Sequence, residues 1–247
     1  MEKIEDNRML NTLTEYDEAF DLLSASKLFG SLKKETLRTM LNETKIVHIK
    51  KSESIDNDFG TKHLYIILSG RLKVTQVDPL TGRTIAPFLL KKGDIFDFFS
   101  LLDGEEHTVF PVPLDNVIAL SIPLERAREW IYEYPEFNRK FMPYLGEKMR
   151  ELEAFGASVV FDDIVTRLSK LILRYASPKK ILSNNLHPVN LIHNLSDESI
   201  SEMIGSVRSV VNSQINKLKE ENLIFSTRGK LSIKNLEGLI KKCDATK

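Results

Sequence analysis

The residues of this chain whose types and spacing suit recognition chemistry gather near its end, in LSDESISEMIGSVRSVVNSQINKLKEENLI (195–224) and the FSTRGKLSI that follows. Arg208, Ser209, Asn212, Ser213 and Asn216 recur at one-, three- and four-residue steps, so on a helix they share one face. These side chains suit base edges. An arginine pairs bidentately with guanine O6 and N7, an asparagine with adenine N6 and N7, and serine donates or accepts. Lys217 and Lys219, with a helix N-terminus at Ser206 and Val207, suit phosphate. LIFSTRGKLSI reads as two short strands turning at Thr227-Arg228-Gly229-Lys230, a basic hairpin whose Arg228 and Lys230 would touch backbone phosphate. A surface helical hairpin serving protein contacts would share any one of these features. Their combination points to double-stranded DNA.

The elements that position these groups follow from caps and periods. Ser196 is a suitable N-cap and Asp197 and Glu198 complement a helix dipole, which predicts a first helix over 197–204 ended by Gly205. A second helix is expected over 207–221, with Val207, Val211, Ile215 and Leu218 facing inward. A short helix, a glycine turn and a longer helix make a helix-turn-helix. Upstream, 15–45 carries helical spacing, and from Ile46 to Ile122 the pattern changes to short strands: IVHIKK, LYIILSG, RLKVTQVD, TIAPFLL and VIALSI. Strands at this spacing, cut by turns at Ser69-Gly70, 78–82 and 92–94, imply an antiparallel sandwich, roll or barrel.

Helical spacing returns at Pro123, and Pro135 suits the first position of a long helix over about 136–160. Phe141, Leu145, Lys148, Leu152, Phe155 and Val159 follow a 4-3-4-3-4 spacing along it. That stripe suits pairing with a second helix, or packing on the chain's own sheet. Pro143 should loosen the first turns, which places the tight contact after Leu145. DDIVTRLSKLILRYA is a further short helix, and the polar SPKKILSNNLHPVN after it reads as a loop or irregular strand.

Of the 247 residues 42% are hydrophobic and 28% charged, a mix able to bury real cores. No apolar run approaches the roughly 18–20 residues of a membrane span, and MEKIEDNRML lacks the pattern of a secretory leader, so a cytoplasmic protein without a membrane partner is expected. A single cysteine, Cys243, excludes an intrachain disulfide framework, a Cys-ligated iron–sulfur cluster and a Cys-rich zinc site. His48, His63, His107, His187 and His193 form no His-x-His pair, and neither a Ser/His/Asp nor a phosphate-loop motif appears. That argues against a cupin-type or other enzyme and against a metal site. Lys plus Arg equal Asp plus Glu at 35 each, but residues 1–157 hold 21 basic and 26 acidic groups and 158–247 hold 14 and 9. The basic end is the one that suits an anionic partner.

The order of YIILSGRLKV, KKGDIFDFF, a long helix and IGSVRSVVNSQINKLKEENLI resembles the CRP/FNR family of bacterial transcription regulators over nearly the full length. The resemblance implies an α+β chain: N-terminal helices and a jelly-roll-like, cyclic-nucleotide-binding-like antiparallel β-roll over 1–134, a dimerisation helix over 135–160, and a winged helix-turn-helix over 161–247. It implies a homodimer joined along Phe141, Leu145, Lys148, Leu152, Phe155 and Val159, two recognition helices on a roughly palindromic site, and RNA polymerase as a further partner. The pattern departs from cAMP-responsive members, where a Gly-Glu pair holds the ribose and an arginine farther on holds the cyclic phosphate. Those positions read Asp97-Phe98 and His107-Thr108, with Glu105 and Glu106 nearby, and the adenine-contacting positions read Leu152-Glu153. No cAMP binding is expected. Phe98, Phe99, His107, Thr108, Lys148 and Leu152 are the candidates for lining a pocket for another effector, or Phe98 and Phe99 are core and the pocket holds nothing. No resident cofactor is expected. Haem sensing through His48, His63 or His107, and a roll that regulates through protein contacts instead of DNA, are the alternative readings. Arg208 matches the family's usual contacting arginine, whereas Ser209 and Ser213 replace its usual Glu and second Arg, so the family's best-known half-site is not implied.

Overall fold

Apolar residues at three- and four-residue steps open the described part of the chain as helix. The computed structural model describes residues 14–51, 55, 62–105, 108–182, 185–227 and 229–244. Helix α1 (14–24) buries Ala19 and Leu23, and α2 (Lys34–Asn42) buries Leu37, Met40 and Leu41. The period then falls to two. Strands β1 (Lys45–Ile49), β2 (His63–Ser69), β3 (Leu72–Val77), β4 (Thr84–Leu90), β5 (Ile95–Phe96), β6 (Phe110–Pro113) and β7 (Val117–Pro123) form two sheets, ordered β1-β7-β2-β5 and β4-β3-β6. Strand β7 is antiparallel to both neighbours, with Ile49 opposite Val117 and Leu64 opposite Ile122. The flanking strands of the second sheet carry Pro87, Pro111 and Pro113, and only edge strands can spare the ladder N–H that proline lacks. At the β2–β3 turn Gly70 has φ 80, and a Cβ there would lie 2.4 Å from the Asn116 carbonyl oxygen, so only glycine fits.

The five strands expected from alternation are all present. Strands β5 and β6 escape the pattern because two and four residues are too few to establish a period. Helix α3 (Phe98–Asp103), a single short turn between them, escapes for the same reason.

Helix α4 (Leu124–Glu133) buries Leu124, Ala127 and Trp130. Helix α5 (Pro135–Phe161) starts on Pro135 as expected and runs without interruption through Pro143. Phe137 stacks on Phe29 and Phe141 at 5.4 and 5.3 Å between ring centres, and Trp130 meets its edge at 6.2 Å. Phe141, Leu145 and Lys148 are buried within the chain itself, at 0, 6 and 6% exposure, so half of the stripe expected to pair with a second helix is already covered. A 4-3 repeat states that a stripe must be covered. It does not state by what. The large apolar residues that α5 leaves exposed are Met142, Met149, Leu152, Val160 and Phe161, and Phe155 and Val159 are half-buried.

The second half forms around α6 (Ile164–Arg174), whose N-cap Asp163 accepts from the Thr166 N–H at 2.8 Å. It packs on α8 (Arg208–Glu220) and α9 (Leu236–Asp244), while α7 (Asp197–Met203) packs on α8. Strands β9 (Ile224–Thr227) and β10 (Lys230–Ile233) form the expected hairpin, and β8 (His187–Pro188), from the polar stretch, adds a third strand beside β10. Compactness divides the chain into residues up to 74 with 89–150, and 75–88 with 151–247. No helix among the described residues is long and apolar enough to cross a membrane.

Candidate nucleic-acid interface and effector cradle

The helix-turn-helix is set by its caps. Ser196 Oγ accepts from the Ser199 N–H at 3.2 Å and starts α7, and Ile200, Ser201 and Met203 turn inward. Gly205 then takes φ 63 with a Cβ position only 3.1 Å from Val159 Cγ2, so the chain can reverse closely against the end of α5. Helix α8 begins at Arg208, one residue later than expected, because Val207 sits at φ −118, ψ 150 as the N-cap. Val207 is also 49% exposed, so it does not belong to the inner face; Val211, Ile215 and Leu218 do. The C-terminus closes in a Schellman arrangement. Asn222 at φ 57 donates to the Lys219 carbonyl at 3.0 Å and Leu223 to that of Leu218 at 2.9 Å.

Burying those three residues puts Arg208, Ser209, Asn212, Ser213, Asn216, Lys217 and Lys219 in solvent, and all seven are exposed. Ser206 is half-buried in the turn. Lys230 is exposed at the start of β10, and Arg228 lies outside the described residues. Two features of α8 oppose ordinary helix design. Its N-cap offers no side-chain acceptor, leaving the first N–H groups open, and Arg208 places a cation at the positive end of the dipole. A ligand anion at that end would answer both.

The turn is braced from α6. Arg167 Nη1 donates to the carbonyls of Ile204 at 3.0 Å and Gly205 at 3.3 Å, and Nε to that of Asp162 at 3.0 Å. The same guanidinium thus holds the two carbonyls that follow α7 and the residue after α5. Asp162 is half-buried, which opposes ionisation, but hydrogen bonds from Lys170 and Ser158 outweigh burial and hold its carboxyl below the usual value. The amide N–H of Thr166 is the main cause of the lowered value of Asp163. Sequence reading gives no sign of this brace, since its acceptors are backbone groups distant in the chain.

The effector candidates divide. Asp97 adopts φ 65, a conformation natural to glycine that Asp tolerates, and Phe98 occupies the next position. Phe98 is buried, its ring 4.4 Å from that of Phe99 and edge-on to Tyr144 at 6.3 Å. Lys148 Nζ lies 3.2 Å from Asp94 Oδ1 and 5.4 Å from the centre of the Tyr144 ring. Tyr144 Oη in turn accepts from the Ile95 N–H at 2.9 Å. Phe98 and Lys148 therefore meet at Tyr144, which sequence reading did not single out, and Phe99 joins them through Phe98. Thr108 and Leu152 are instead exposed, and His107 lies outside the described residues. Among the described residues no group of three or more His, Cys, Asp or Glu side chains is placed to hold a metal.

Comparison with known proteins agrees with both halves. Residues 166–242 match the Crp-like helix-turn-helix domain, and residues 55–134 match the cyclic nucleotide-binding domain. The chain is 23% identical to a CRP-like cAMP-activated global transcriptional regulator of Mycobacterium tuberculosis, over 78% of this chain and 85% of that one. It is 26% identical to the global nitrogen regulator of a Synechocystis species, over 70% and 77% of the two chains. In fold it resembles TTHA1359, a CRP/FNR-family transcriptional regulator of Thermus thermophilus, with a TM-score of 0.64 at 19% identity over 82% of this chain and all of that one.

Proposed function

Because this chain belongs to the CRP/FNR family of transcription regulators, we propose that it is a sequence-specific DNA-binding regulator rather than an enzyme, acting in the cytoplasm as a homodimer on a roughly palindromic site. The observation that carries this is α8: an uncapped N-terminus, Arg208 in its first turn, and an outward face of Ser209, Asn212, Ser213 and Asn216. Base-edge readout needs those groups, and neither the core nor helix stability does. The open N–H groups, with Lys217, Lys219 and Lys230, provide the sequence-independent hold on phosphate. Met142, Met149, Leu152 and Val160, exposed along α5, provide the face for a second copy of the helix.

The effector cradle does not take cAMP. Where the family's nucleotide-binding members place a carboxylate on the ribose, buried Phe98 offers no acceptor, Lys148 is paired with Asp94, and Arg128 is held by the Ser100 and Leu101 carbonyls. Any effector at Phe98 and Phe99 is uncharged or apolar.

Selection from a randomised duplex library tests the reading. The full-length protein should enrich an inverted repeat with half-site centres about one helical turn apart, and its affinity should fall steeply with salt. Failure to enrich any motif would overturn the assignment. Calorimetry with cAMP should give no binding heat, and micromolar affinity would refute the effector reading.

A further inference from the structure

A hydrogen-bonded chain crosses from α7 to the outward face of α8. Asn212 Nδ2 donates to Asp197 Oδ2 at 2.8 Å, and Asn216 Nδ2 donates to Asn212 Oδ1 at 3.2 Å. An ionised carboxylate only accepts. Asp197 therefore dictates that the amino end of Asn212 faces it, which turns the Asn212 carbonyl toward Asn216. That carbonyl in turn draws in the amino end of Asn216, and the Asn216 carbonyl oxygen is left facing away with one N–H still unspent. Without the carboxylate, either amide is free to rotate by half a turn and exchange donor for acceptor.

We infer that Asp197, which lies outside the recognition helix, is a positioning residue for base specificity: through Asn212 it sets the Asn216 amide with its carbonyl oxygen outward. The inference rests on the DNA-binding reading above. An outward acceptor beside one N–H matches adenine, which presents the N6 amino group and N7, and mismatches guanine, which presents only the acceptors O6 and N7. The relay thus selects adenine over guanine at the base that Asn216 meets. Asp197 is half-buried and its carboxylate repels phosphate, so a general contribution to affinity is not its role.

The test is position-resolved. Duplex selection with Asn216→Ala identifies the base pair that this residue reads, as the position whose preference disappears. In the wild type that position should prefer adenine over guanine by about tenfold, within the range of one bidentate contact. In Asp197→Ala and the isosteric Asp197→Asn the preference at that position should fall below about threefold, while the position dependent on Arg208 keeps its base. The altered amide pattern, and not a loss of folding, is then the cause, and thermal melting of the Asn variant near wild type confirms it. Unchanged adenine preference in both Asp197 variants overturns the relay, as does an Asn216→Ala motif identical to the wild type. A wild-type protein that enriches no motif at all instead overturns the DNA-binding reading beneath it.

Discussion

Arg208 carries its charge at the unfavourable end of a helix dipole, and among the described residues no ion pair answers it. A first turn selected for stability would hold Asp or Glu, as α7 does with Asp197 and Glu198. Arg208→Ala should therefore leave folding unchanged or slightly improved while weakening binding to the selected duplex by about 1–3 kcal/mol at matched salt. An operator titration checks this, and equal affinities would remove Arg208 from the reading face. Phe98 makes the opposite trade. It follows Asp97, whose backbone sits at φ 65, and spends its position on a ring packed on Phe99 and Tyr144.

Between elements, polar groups tie segments that hydrophobic packing alone leaves free to slide. Arg126 on α4 pairs with Glu43 after α2 at 2.8 Å, and with Glu129 and Glu133 on its own helix. Trp130 Nε1 also donates to Glu43, at 2.6 Å. Burial alone would raise the Glu43 pKa, but the hydrogen bonds from Arg126 and Trp130 outweigh it and hold the carboxyl below the ordinary glutamate range. A carboxyl whose folded value is depressed contributes stability above its unfolded value and loses it as pH falls through the folded one. Glu43→Gln should therefore destabilise the roll by about 1 kcal/mol at neutral pH, with the gap from wild type closing below about pH 4.5. Chemical denaturation across that range reads the effect, and a gap constant with pH would assign it to packing instead.

At the scale of the molecule, the proposed dimer forms on apolar residues that α5 leaves exposed. Met142, Met149 and Val160 fall on one side of α5 by helical spacing, Leu152 borders them, and all four are exposed, unlike Phe141, Leu145 and Lys148. Leu152→Glu should shift the protein to a monomer by sedimentation and lower affinity for the full inverted repeat by about 10²–10⁴-fold, while a single half-site loses far less. A dimer that persists with undiminished binding would place the two-fold interface elsewhere. The charge asymmetry belongs to this scale too, since the excess of Lys and Arg lies in the half that carries α8 and the β9–β10 hairpin.

Much of this was legible in the sequence. Ser196, Gly205 and the inward Val211, Ile215 and Leu218 suffice to define a helix-turn-helix, because caps and apolar spacing are local physics, and outward Asn212 and Asn216 follow from them by subtraction. Local rules also place Pro135 at the head of α5 and the long strands of the roll. What only the tertiary structure decided was partnership. The stripe through Phe141, Leu145 and Lys148 reads identically whether covered by Phe137 and Asp94 or by another helix. Arg167 finds carbonyls 37 and 38 residues away, and Asp197 finds Asn212 fifteen residues on. Spacing along a chain says which groups need covering or pairing, but the group that meets the need is chosen by which segments folding brings within hydrogen-bond reach.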